Sequence, residues 1–451
     1  MHVRTIFRLW LPLAVSFELM MLEGPAVQAA IGVLPDPALH LAAWGLTMSL
    51  SLLIESPVIM LLSTAIALVR GQQSFRVLQR FTFLLSAACT ALTALVAFTP
   101  LFDLICRGWM RQPGPIVQAA RPAMQIMLFW TAAIAWRRFF QGILIRHGGA
   151  HLVSWGTVVR LLAVVLCAYF LTSRGALSGA QVAALTLMVA VTTEAILTLG
   201  FVQPALRRDV LPVQDEEGHL TLQAVRAFHA PLAWTTLLTL LAQPLTSAAL
   251  ARLPHPTETL AAWPVTFMAL LVIRGPALAL QETCVAQARH PQSQPALWRF
   301  TVLVGGFSAA FTALVAFTPL LDVYLVRVVS LPELLQPYVR AGVLYSLLLP
   351  WLTALGSWAR GVLVAGRQTA AVYTGMVCNL LVHTAVLWIG VALQLPGMQV
   401  AACAFTIAGW AEYRYLRRCV SRMLAPVEAS VATAHGELSF QREVPAEDPS
   451  R

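Results

Sequence analysis

Two charged residues stand at matching places inside long apolar stretches of the sequence. Glu55 belongs to the segment 54–57 (Ile-Glu-Ser-Pro), and Arg274 belongs to 273–276 (Ile-Arg-Gly-Pro). A charge at the centre of a membrane span costs roughly 2.5–3.5 kcal/mol, so such residues usually pair, bind a substrate or carry a proton. We expect Glu55 and Arg274 either to pair in one conformation and separate in another, or to hold a proton and an anionic substrate respectively. A permanent buried ion pair is the alternative.

The separation in residue number between Glu55 and Arg274 also relates other matching positions of the two halves of the chain. We call this separation the repeat offset. Polar and aromatic side chains accompany Glu55 on one helical face, because they are spaced by three, four and four residues. The face consists of Trp44, Thr47, Ser51 and Glu55. Trp263 and Thr266 precede Arg274 in the same register, although Leu270 replaces the serine. The sequence therefore predicts a central cavity lined by both faces, with Glu55 and Arg274 facing each other across it.

Other polar residues also fall in the middle of apolar stretches. Arg160 and Asn379, again separated by the repeat offset, are predicted to line the cavity, because a lone arginine at that depth must find an anion, a carboxylate or several carbonyls. Glu18 and Glu23 are further candidates for the cavity. Their five-residue spacing separates them by about 140° around a helix, so both cannot face the cavity squarely.

Charges near the arginine-rich ends of the spans have simpler explanations. We expect Arg137 and Arg138 to snorkel toward the membrane surface. We expect Glu194 and Glu412 to form ion pairs at the interface.

Prolines inside several spans are candidate hinges. A proline removes a backbone donor and favours a bend, which membrane helices tolerate beside a cavity. The predicted hinge residues are Pro25, Pro57, Pro244 and Pro276. A static bend is the alternative, because proline is common in membrane helices.

The composition is that of a polytopic membrane protein. Hydrophobic residues make up 58% of the 451 positions, charged residues make up 11%, and the mean hydropathy is +0.74. The net charge of +10 does not indicate a nucleic-acid partner, because the arginines fall mostly in short connections between apolar runs. The sequence contains no cofactor motif, metal-ligand cluster, phosphate-binding loop or nucleophile with an attendant base, so an enzyme is not expected.

Twelve apolar runs reach the length of about 20 residues that crosses a bilayer. They lie near 8–33, 40–69, 81–104, 116–145, 150–172, 178–203, 227–252, 259–287, 298–325, 335–364, 369–393 and 397–416. We predict an all-α membrane protein with two six-helix lobes, 1–205 and 227–423, a cytoplasmic linker 206–226, and a disordered cytoplasmic tail 424–451. Carboxylates interrupt the first run, so we expect a retained span rather than a cleaved signal peptide.

The two lobes repeat each other. Segments 91–103 and 310–322 are separated by the repeat offset and are identical at 11 of 13 positions. Since each copy has an even number of spans, both insert the same way round, and we predict a pseudo-twofold axis along the membrane normal. Arginines collect on one side of the spans, which predicts an inner-membrane protein with both termini in the cytoplasm.

Several short motifs carry a family resemblance. They are Leu-Ala-Ala-Trp-Gly-Leu at 41–46, Ala-Trp at 135–136, Gly-Ile-Leu at 142–144 with His147, and Pro-Leu-Ala at 231–233. With two six-span halves and a proline-bent first span, the chain resembles the multidrug and toxic compound extrusion (MATE) fold of the multidrug/oligosaccharidyl-lipid/polysaccharide (MOP) flippase superfamily. Within it, the motifs look most like the progressive ankylosis protein (ANKH) family, with this chain as a bacterial member.

The resemblance implies a secondary transporter whose lobes rock between inward- and outward-facing states. It implies export of a small anionic metabolite such as citrate, pyrophosphate or a nucleotide, which Arg160 and Arg274 would suit. The animal proteins carry additional basic residues in their first half, whereas this chain has Glu18, Glu23 and Glu55 there. Proton-coupled export of a drug or lipid precursor is therefore the rival hypothesis. A non-transporting membrane scaffold is the third. The expected partners are a small solute and the bilayer, with protons as a candidate coupling ion, and a monomer is expected.

Overall fold

The protein is built from helices. A computed structural model describes residues 3–214, 220–288 and 293–442, and every regular element in these ranges is helical. Helices satisfy their backbone hydrogen bonds within one segment, which an apolar bilayer requires. The predicted all-α fold class is confirmed.

Ten α-helices lie within residues 3–214, the first half. They are α1 (Val3–Met21), α2 (Glu23–Gly32), α3 (Pro37–Ile59), α4 (Leu61–Leu68), α5 (Gln72–Phe98), α6 (Leu101–Asp103), α7 (Gly114–Ile126), α8 (Trp130–Arg146), α9 (Ala150–Arg174) and α10 (Gly179–Ala205). π-helical turns at Leu104–Trp109 and Leu206–Val210 and a 3₁₀ turn at Met127–Phe129 accompany them.

Nine α-helices lie within residues 220–288 and 293–442, the second half. They are α11 (Leu222–Leu240), α12 (Ala242–Leu250), α13 (Pro256–Gln287), α14 (Gln294–Phe317), α15 (Leu320–Asp322), α16 (Gln336–Leu344), α17 (Leu349–Ala365), α18 (Thr369–Ala392) and α19 (Gly397–Arg442). A π-helical turn at Val323–Val328 and a 3₁₀ turn at Glu333–Leu335 accompany them.

Among the described residues, seven helical stretches are long and apolar enough to cross a membrane. Glu333–Leu344 and Leu349–Ala365, bent by 46° at their junction, make an eighth if the pair crosses together. The other predicted spans correspond to helices that are broken or less apolar, such as α1 with α2. The count of twelve spans stays a prediction.

Two of the predicted hinge prolines lie just after a break between two helices. Proline has no N–H for the carbonyl four residues earlier, so a helix ends there most easily. α1 ends at Met21, four residues before Pro25, and α11 ends at Leu240, four residues before Pro244. The first and seventh predicted spans are therefore each made of two pieces.

The other two predicted hinges lie in continuous helix. α3 continues through Pro57 and ends two residues later, at Ile59. α13 runs without interruption through Pro276. The two halves therefore differ at this repeat position, and movement at any of the four prolines stays a prediction.

The internal repeat extends to the backbone conformation. Eight residues in the described ranges have a left-handed φ, and they form four pairs separated by the repeat offset: Asp36 and His255, Arg111 and Ser330, Gly148 and Arg367, and Gly175 and Gln394. Two of these pairs match a glycine with another residue type, and none repeats the same residue. The chain therefore turns in the same way at equivalent places even where the residues differ.

Close helix packing is repeated as well. A Cβ at Gly142 would lie 2.6 Å from the Leu62 carbonyl oxygen, and a Cβ at Gly361 would lie 2.7 Å from the Gln281 carbonyl oxygen. Both the glycines and the carbonyls are repeat partners. Glycine thus lets α8 approach α4 and lets α17 approach α13.

The first helix of each half packs on the opposite half. α1 lies along α13, and Ile6 is fully buried in a second-half core with Ala277 and Leu280. α11 lies along α3 in the first half. By contrast, α2 packs on α9 and α10 of its own half, and α12 packs on α18. The break in each first span is therefore where the chain passes between the halves.

The last helix is longer than one span. α19 continues to Arg442, through part of the segment 424–451 that the sequence assigned to a disordered tail. Alanine and glutamate recur in this part and are good helix formers. Residues 443–451, and 215–219 of the predicted linker, lie outside the described residues.

Candidate functional site

Glu194 of α10 is the centre of a buried polar cluster in the first half. Its Oε2 accepts a hydrogen bond from Arg137 Nη1 at 2.5 Å and lies 3.3 Å from Arg160 Nη1, while its Oε1 accepts one from Gln141 Nε2 at 3.1 Å. Glu194 is fully buried, and Arg137 is 4% exposed. Arg137 therefore does not snorkel, and Glu194 forms the predicted ion pair, although it does so buried inside the half.

Two further glutamates complete this first-half cluster. Glu23 Oε1 accepts a hydrogen bond from Arg160 Nη2 at 2.5 Å. Glu55 Oε2 accepts one from the Trp130 indole N–H at 2.7 Å. Arg138 adds a third guanidinium that interacts electrostatically with Glu55. The cluster thus holds three carboxylates and three guanidiniums, and its direct ion pairs are Arg137–Glu194, Arg160–Glu194 and Arg160–Glu23.

Glu412 of α19 is the corresponding centre in the second half. It is 4% exposed. Its carboxylate accepts hydrogen bonds from Arg360 Nε at 2.8 Å, Arg360 Nη2 at 3.3 Å and Asn379 Nδ2 at 2.8 Å. Glu412 thus also forms the predicted ion pair, buried inside its half.

The two clusters occupy equivalent places in the repeat. Three pairs of positions correspond: Gln141 and Arg360, Arg160 and Asn379, and Glu194 and Glu412. The first two pairs are separated by the repeat offset and the third by one position less, so the repeat loses one position before the last span. In both halves, side chains of the fourth and fifth predicted spans bind a carboxylate of the sixth.

Arg274 of α13 lies beside the second-half cluster. Its Nε donates a hydrogen bond to Thr353 Oγ1 at 2.7 Å. It is partly exposed and forms no ion pair with a carboxylate in the described ranges. The predicted pair of Glu55 and Arg274, whether switching or permanent, is absent from this conformation, because each side chain bonds to a neutral partner in its own half.

Most of the predicted polar face of α3 packs against a neighbouring helix. Thr47 donates to the Ala43 carbonyl at 2.9 Å and reaches the Ala120 carbonyl at 3.3 Å, and Ser51 Oγ lies 3.4 Å from Met124 Sδ. Both side chains are buried against α7. Thr47 and Ser51 therefore do not face a shared cavity with Arg274, as the periodicity alone had predicted.

Trp44 and Trp263 do meet in a shared cavity. This interlobe cavity, about 60 Å³, is lined by residues of both halves, including Gln28 and Gln243, and by no charged side chain. The Trp263 indole N–H donates to Gln243 Oε1 at 3.3 Å, and Gln28 Nε2 donates across the halves to the Pro264 carbonyl at 2.8 Å. The cavity is polar only through neutral groups, namely glutamine amides, the hydroxyls of Ser49 and Ser247, and the indoles.

The halves are joined on the side of the spans opposite the one where the arginines collect. We call this side the arginine-poor face and the other side the arginine-rich face. Gln112 Nε2 donates to the Ser247 carbonyl at 2.9 Å, and both groups are buried. Arg252 Nη1 donates to the Met110 carbonyl at 3.1 Å. These contacts join connections of the first half to helix ends of the second, so the interlobe cavity is closed on this side.

A second set of contacts joins each crossing helix to the opposite half. The Trp10 indole N–H of α1 donates to the Pro276 carbonyl at 2.9 Å. His229 Nε2 of α11 lies 2.8 Å from the Pro57 carbonyl, and its Nδ1 lies 2.9 Å from Thr64 Oγ1. A carbonyl can only accept, so Nε2 carries the proton.

Glu18 and Glu23 belong to different environments, as the angle between them implies. Glu23 joins Arg160 in the first half, whereas Glu18 lies on the crossing helix α1 against α13. Its Oε1 is buried and has no hydrogen-bond partner in the described part of the chain. A Cβ at Gly275 would collide with this oxygen, so glycine makes the room for the carboxyl group.

The described residues offer no metal site. In the ranges 3–214, 220–288 and 293–442, no three histidine, cysteine, aspartate or glutamate side chains come together in a way that could hold a metal ion.

The chain resembles known proteins in its three-dimensional structure and not in its sequence. No protein-family model and no curated protein matches the sequence. The structure is similar to an inward-facing multidrug resistance MATE family transporter of the MOP superfamily, with a TM-score of 0.76 at 13% identity over 94% of this chain and 99% of that chain. The chain has the MATE-like fold. It is also similar to the lipid II flippase MurJ in an inward closed conformation, with a TM-score of 0.71 at 11% identity over 91% and 87% of the two chains.

Two conformations of MATE transporters compare differently with this MATE-like structure. An outward-facing MATE family transporter gives a TM-score of 0.61 at 15% identity, over 93% of this chain and 96% of that chain. The higher score of 0.76 belongs to an inward-facing structure.

Sequence reasoning did not assign several residues of the two buried clusters to a site. They are Trp130, Arg137, Gln141, Glu194, Arg360 and Glu412. The repeat carried a signal for four of them: Gln141 and Arg360 align without a gap, and Glu194 corresponds to Glu412. Trp130 and Arg137 match Leu349 and Gly356 and had no such signal. The missing step was the one-residue gap, which hides the match of Glu194 with Glu412 from an ungapped alignment.

Proposed function

We propose that this protein is a secondary transporter that exports a small anionic solute by alternating access of its two halves. The observation that carries the proposal is the state of Arg274. It is partly exposed, it bonds only to a neutral hydroxyl, and it has no carboxylate partner in the described ranges. A guanidinium without a carboxylate partner inside a membrane span is stabilised when an anionic solute binds to it.

The charge balance of the two clusters supports an anionic solute. The first-half cluster has equal numbers of carboxylates and guanidiniums. In the second half, Arg274 and Arg360 stand beside a single carboxylate, Glu412. The second-half cluster together with Arg274 therefore carries one uncompensated positive charge, which attracts an anion and repels a cation.

The MATE-like fold supports the transport mechanism. We infer that the solute enters from the face opposite the arginine-poor one. With the arginine-rich face in the cytoplasm, this is an inward-facing state of an inner-membrane protein whose termini are cytoplasmic. The ANKH-like motifs favour citrate, pyrophosphate or a nucleotide as the solute.

A second candidate function is proton-coupled export of an amphipathic or cationic compound, or of a lipid precursor. Glu18 favours it, because an unpartnered buried carboxyl can carry a proton between conformations. The similarity to a structure described as a lipid II flippase also suits a lipid-linked solute.

Transport assays with purified protein in proteoliposomes separate these functions. Citrate, pyrophosphate, ATP and a cationic dye are tested one at a time, each with and without a proton gradient. We expect transport of at least one anion. Transport of the dye alone, lost in Glu18→Gln, would establish the proton-coupled alternative. Transport of no compound from any of these classes would favour the scaffold hypothesis.

A further inference from the structure

We propose that a basic face on α19 binds the phosphate group of an anionic membrane phospholipid. The basic face consists of Arg414, Arg417, Arg418, Ser421 and Arg422, which line a surface depression of about 340 Å³. All five residues are exposed. This site is on the outer surface of the second half and is independent of the transported solute.

The helical spacing brings the five side chains together. At 100° per residue they fall within an arc of about 140°, and at 1.5 Å per residue they extend over about 12 Å of the helix. Guanidinium groups bind phosphate oxygens through paired N–H donors. Four of them in this space can surround one phosphate or two neighbouring ones.

The positive charge of the basic face is not balanced by the protein. In the described part of the chain none of its arginines pairs with a carboxylate, and the neighbouring Glu412 is bound to Arg360 instead. Arg414 lies over the Trp410 ring at 5.6 Å, and Arg417 lies over the Trp298 ring at 5.9 Å. Tryptophan is enriched where membrane proteins meet lipid headgroups, so arginines held on tryptophan rings suit a headgroup site.

An exposed apolar surface continues the basic face toward the membrane interior. Ile407 and Trp410 are 43% and 53% exposed. They precede Arg414 by seven and four residues, so they lie on the same side of α19. Apolar surface followed by clustered arginines has the same order as the acyl chains and phosphate of a phospholipid. This order distinguishes a lipid from a free phosphate ion.

The repeat shows that the fold does not require these arginines. In the register that matches Glu194 with Glu412, the four arginines correspond to Ile196, Leu199, Gly200 and Pro204 of α10. Ile196 and Leu199 are 64% and 42% exposed. The first half thus presents an apolar surface to lipid at the place where the second half presents four positive charges.

Lipid binding by the intact chain tests the proposal. The full-length protein in detergent is mixed with phosphatidylglycerol or with phosphatidylcholine, and bound lipid is measured by native mass spectrometry. The test variant replaces Arg414, Arg417, Arg418 and Arg422 with glutamine. The control variant replaces four other exposed arginines of the arginine-rich face with glutamine, namely Arg207, Arg208, Arg226 and Arg367. A third arm adds inorganic phosphate as a competitor.

We expect the wild type to prefer phosphatidylglycerol, the test variant to bind it at least about tenfold more weakly, and the control to match the wild type. Equal loss in both variants, or equal binding of the two lipids, would overturn the proposal. If millimolar phosphate displaced the lipid, the natural ligand of the basic face would be a soluble phosphate and the lipid proposal would be wrong. If the test variant does not elute as folded protein, Arg418→Gln with Arg422→Gln serves in its place, with a loss of about fivefold or more expected. No solute is transported in this assay, so its outcome is separate from that of the proposed function.

Discussion

Trp10 and His229 occupy the same position in the two repeats, and each donates a side-chain hydrogen bond to a proline carbonyl in the opposite half. The two acceptors, Pro276 and Pro57, are repeat partners themselves. Reciprocal bonds therefore attach the first helix of each half to the other half. A rocking motion of the halves must either break these bonds or carry the crossing helices along.

Removing one reciprocal bond is expected to weaken the contact between the halves. Trp10→Phe loses the N–H donor and keeps an aromatic ring beside Phe300, whose centroid lies 5.4 Å away. We expect the free energy of unfolding in detergent to fall by about 1 kcal/mol. Trp155→Phe is the matched control, since Trp155 is 62% exposed, and it should change stability by less than about 0.5 kcal/mol. Equal effects of the two changes would show that the Trp10 bond does not stabilise this conformation.

Glu194 is expected to be the most sensitive carboxylate of the first half. Glu194→Gln leaves two buried guanidiniums short of a partner and should cost about 3–5 kcal/mol of stability. Glu333→Gln, at an exposed position, should be close to neutral.

A compensating change separates charge from packing at Glu194. Adding Arg137→Gln to Glu194→Gln removes the opposite charge of the same ion pair, so the double variant should be more stable than Glu194→Gln alone. Unfolding midpoints of the wild type, both single variants and the double variant measure this coupling. Strict additivity would mean that the pair contributes no coupling energy.

The two packing glycines are expected to tolerate no side chain. Gly142→Ala and Gly361→Ala each place a Cβ against a backbone carbonyl, at 2.6 Å and 2.7 Å, and should cost about 1–3 kcal/mol. Gly200→Ala is the control, because a Cβ there meets nothing within 4 Å. It should be neutral or stabilising by up to about 1 kcal/mol, since alanine favours helix. Thermal unfolding of the three variants decides the comparison.

Arg274 is expected to govern affinity for the solute. Arg274→Gln should raise the KM for a transported anion at least about tenfold, because hydrogen bonds to charged groups contribute about 1.5–3 kcal/mol. Arg274→Lys should recover part of the loss, since it keeps the charge without the paired donors. Arg299→Gln, an exposed arginine outside both clusters, should leave the KM unchanged. An unaltered KM in Arg274→Gln would remove this residue from the binding site.

The architecture could be predicted from the sequence because it depends on patterns that are local or repeated. Apolar runs of bilayer length indicate helices, and the constant repeat offset brings equivalent helices into register. Even the broken first span follows from Pro25, through the carbonyl that a proline leaves unbonded. The pairing of Trp44 with Trp263 in one cavity follows from the repeat in the same way.

The partners of the buried charges could not be predicted in this way. Periodicity shows which residues of a helix share a side, but it does not show which helix that side meets. Thr47 and Ser51 were assigned to a cavity, yet they pack on α7. Arg137 and Glu194 are 57 residues apart, and no local pattern connects them. Nor does any pattern reveal that α1 crosses to the other half.

The crossing helices make each half incomplete on its own. Two copies of a single half, if they assembled without a covalent connection, would exchange their first helices as domain-swapped dimers do. Such a symmetric pair would necessarily carry the same residue at the positions of Glu55 and Arg274. Opposite charges at these two positions are possible only because both copies belong to one polypeptide. Joining the copies allows one half to keep a balanced set of charges while the other keeps a free cation.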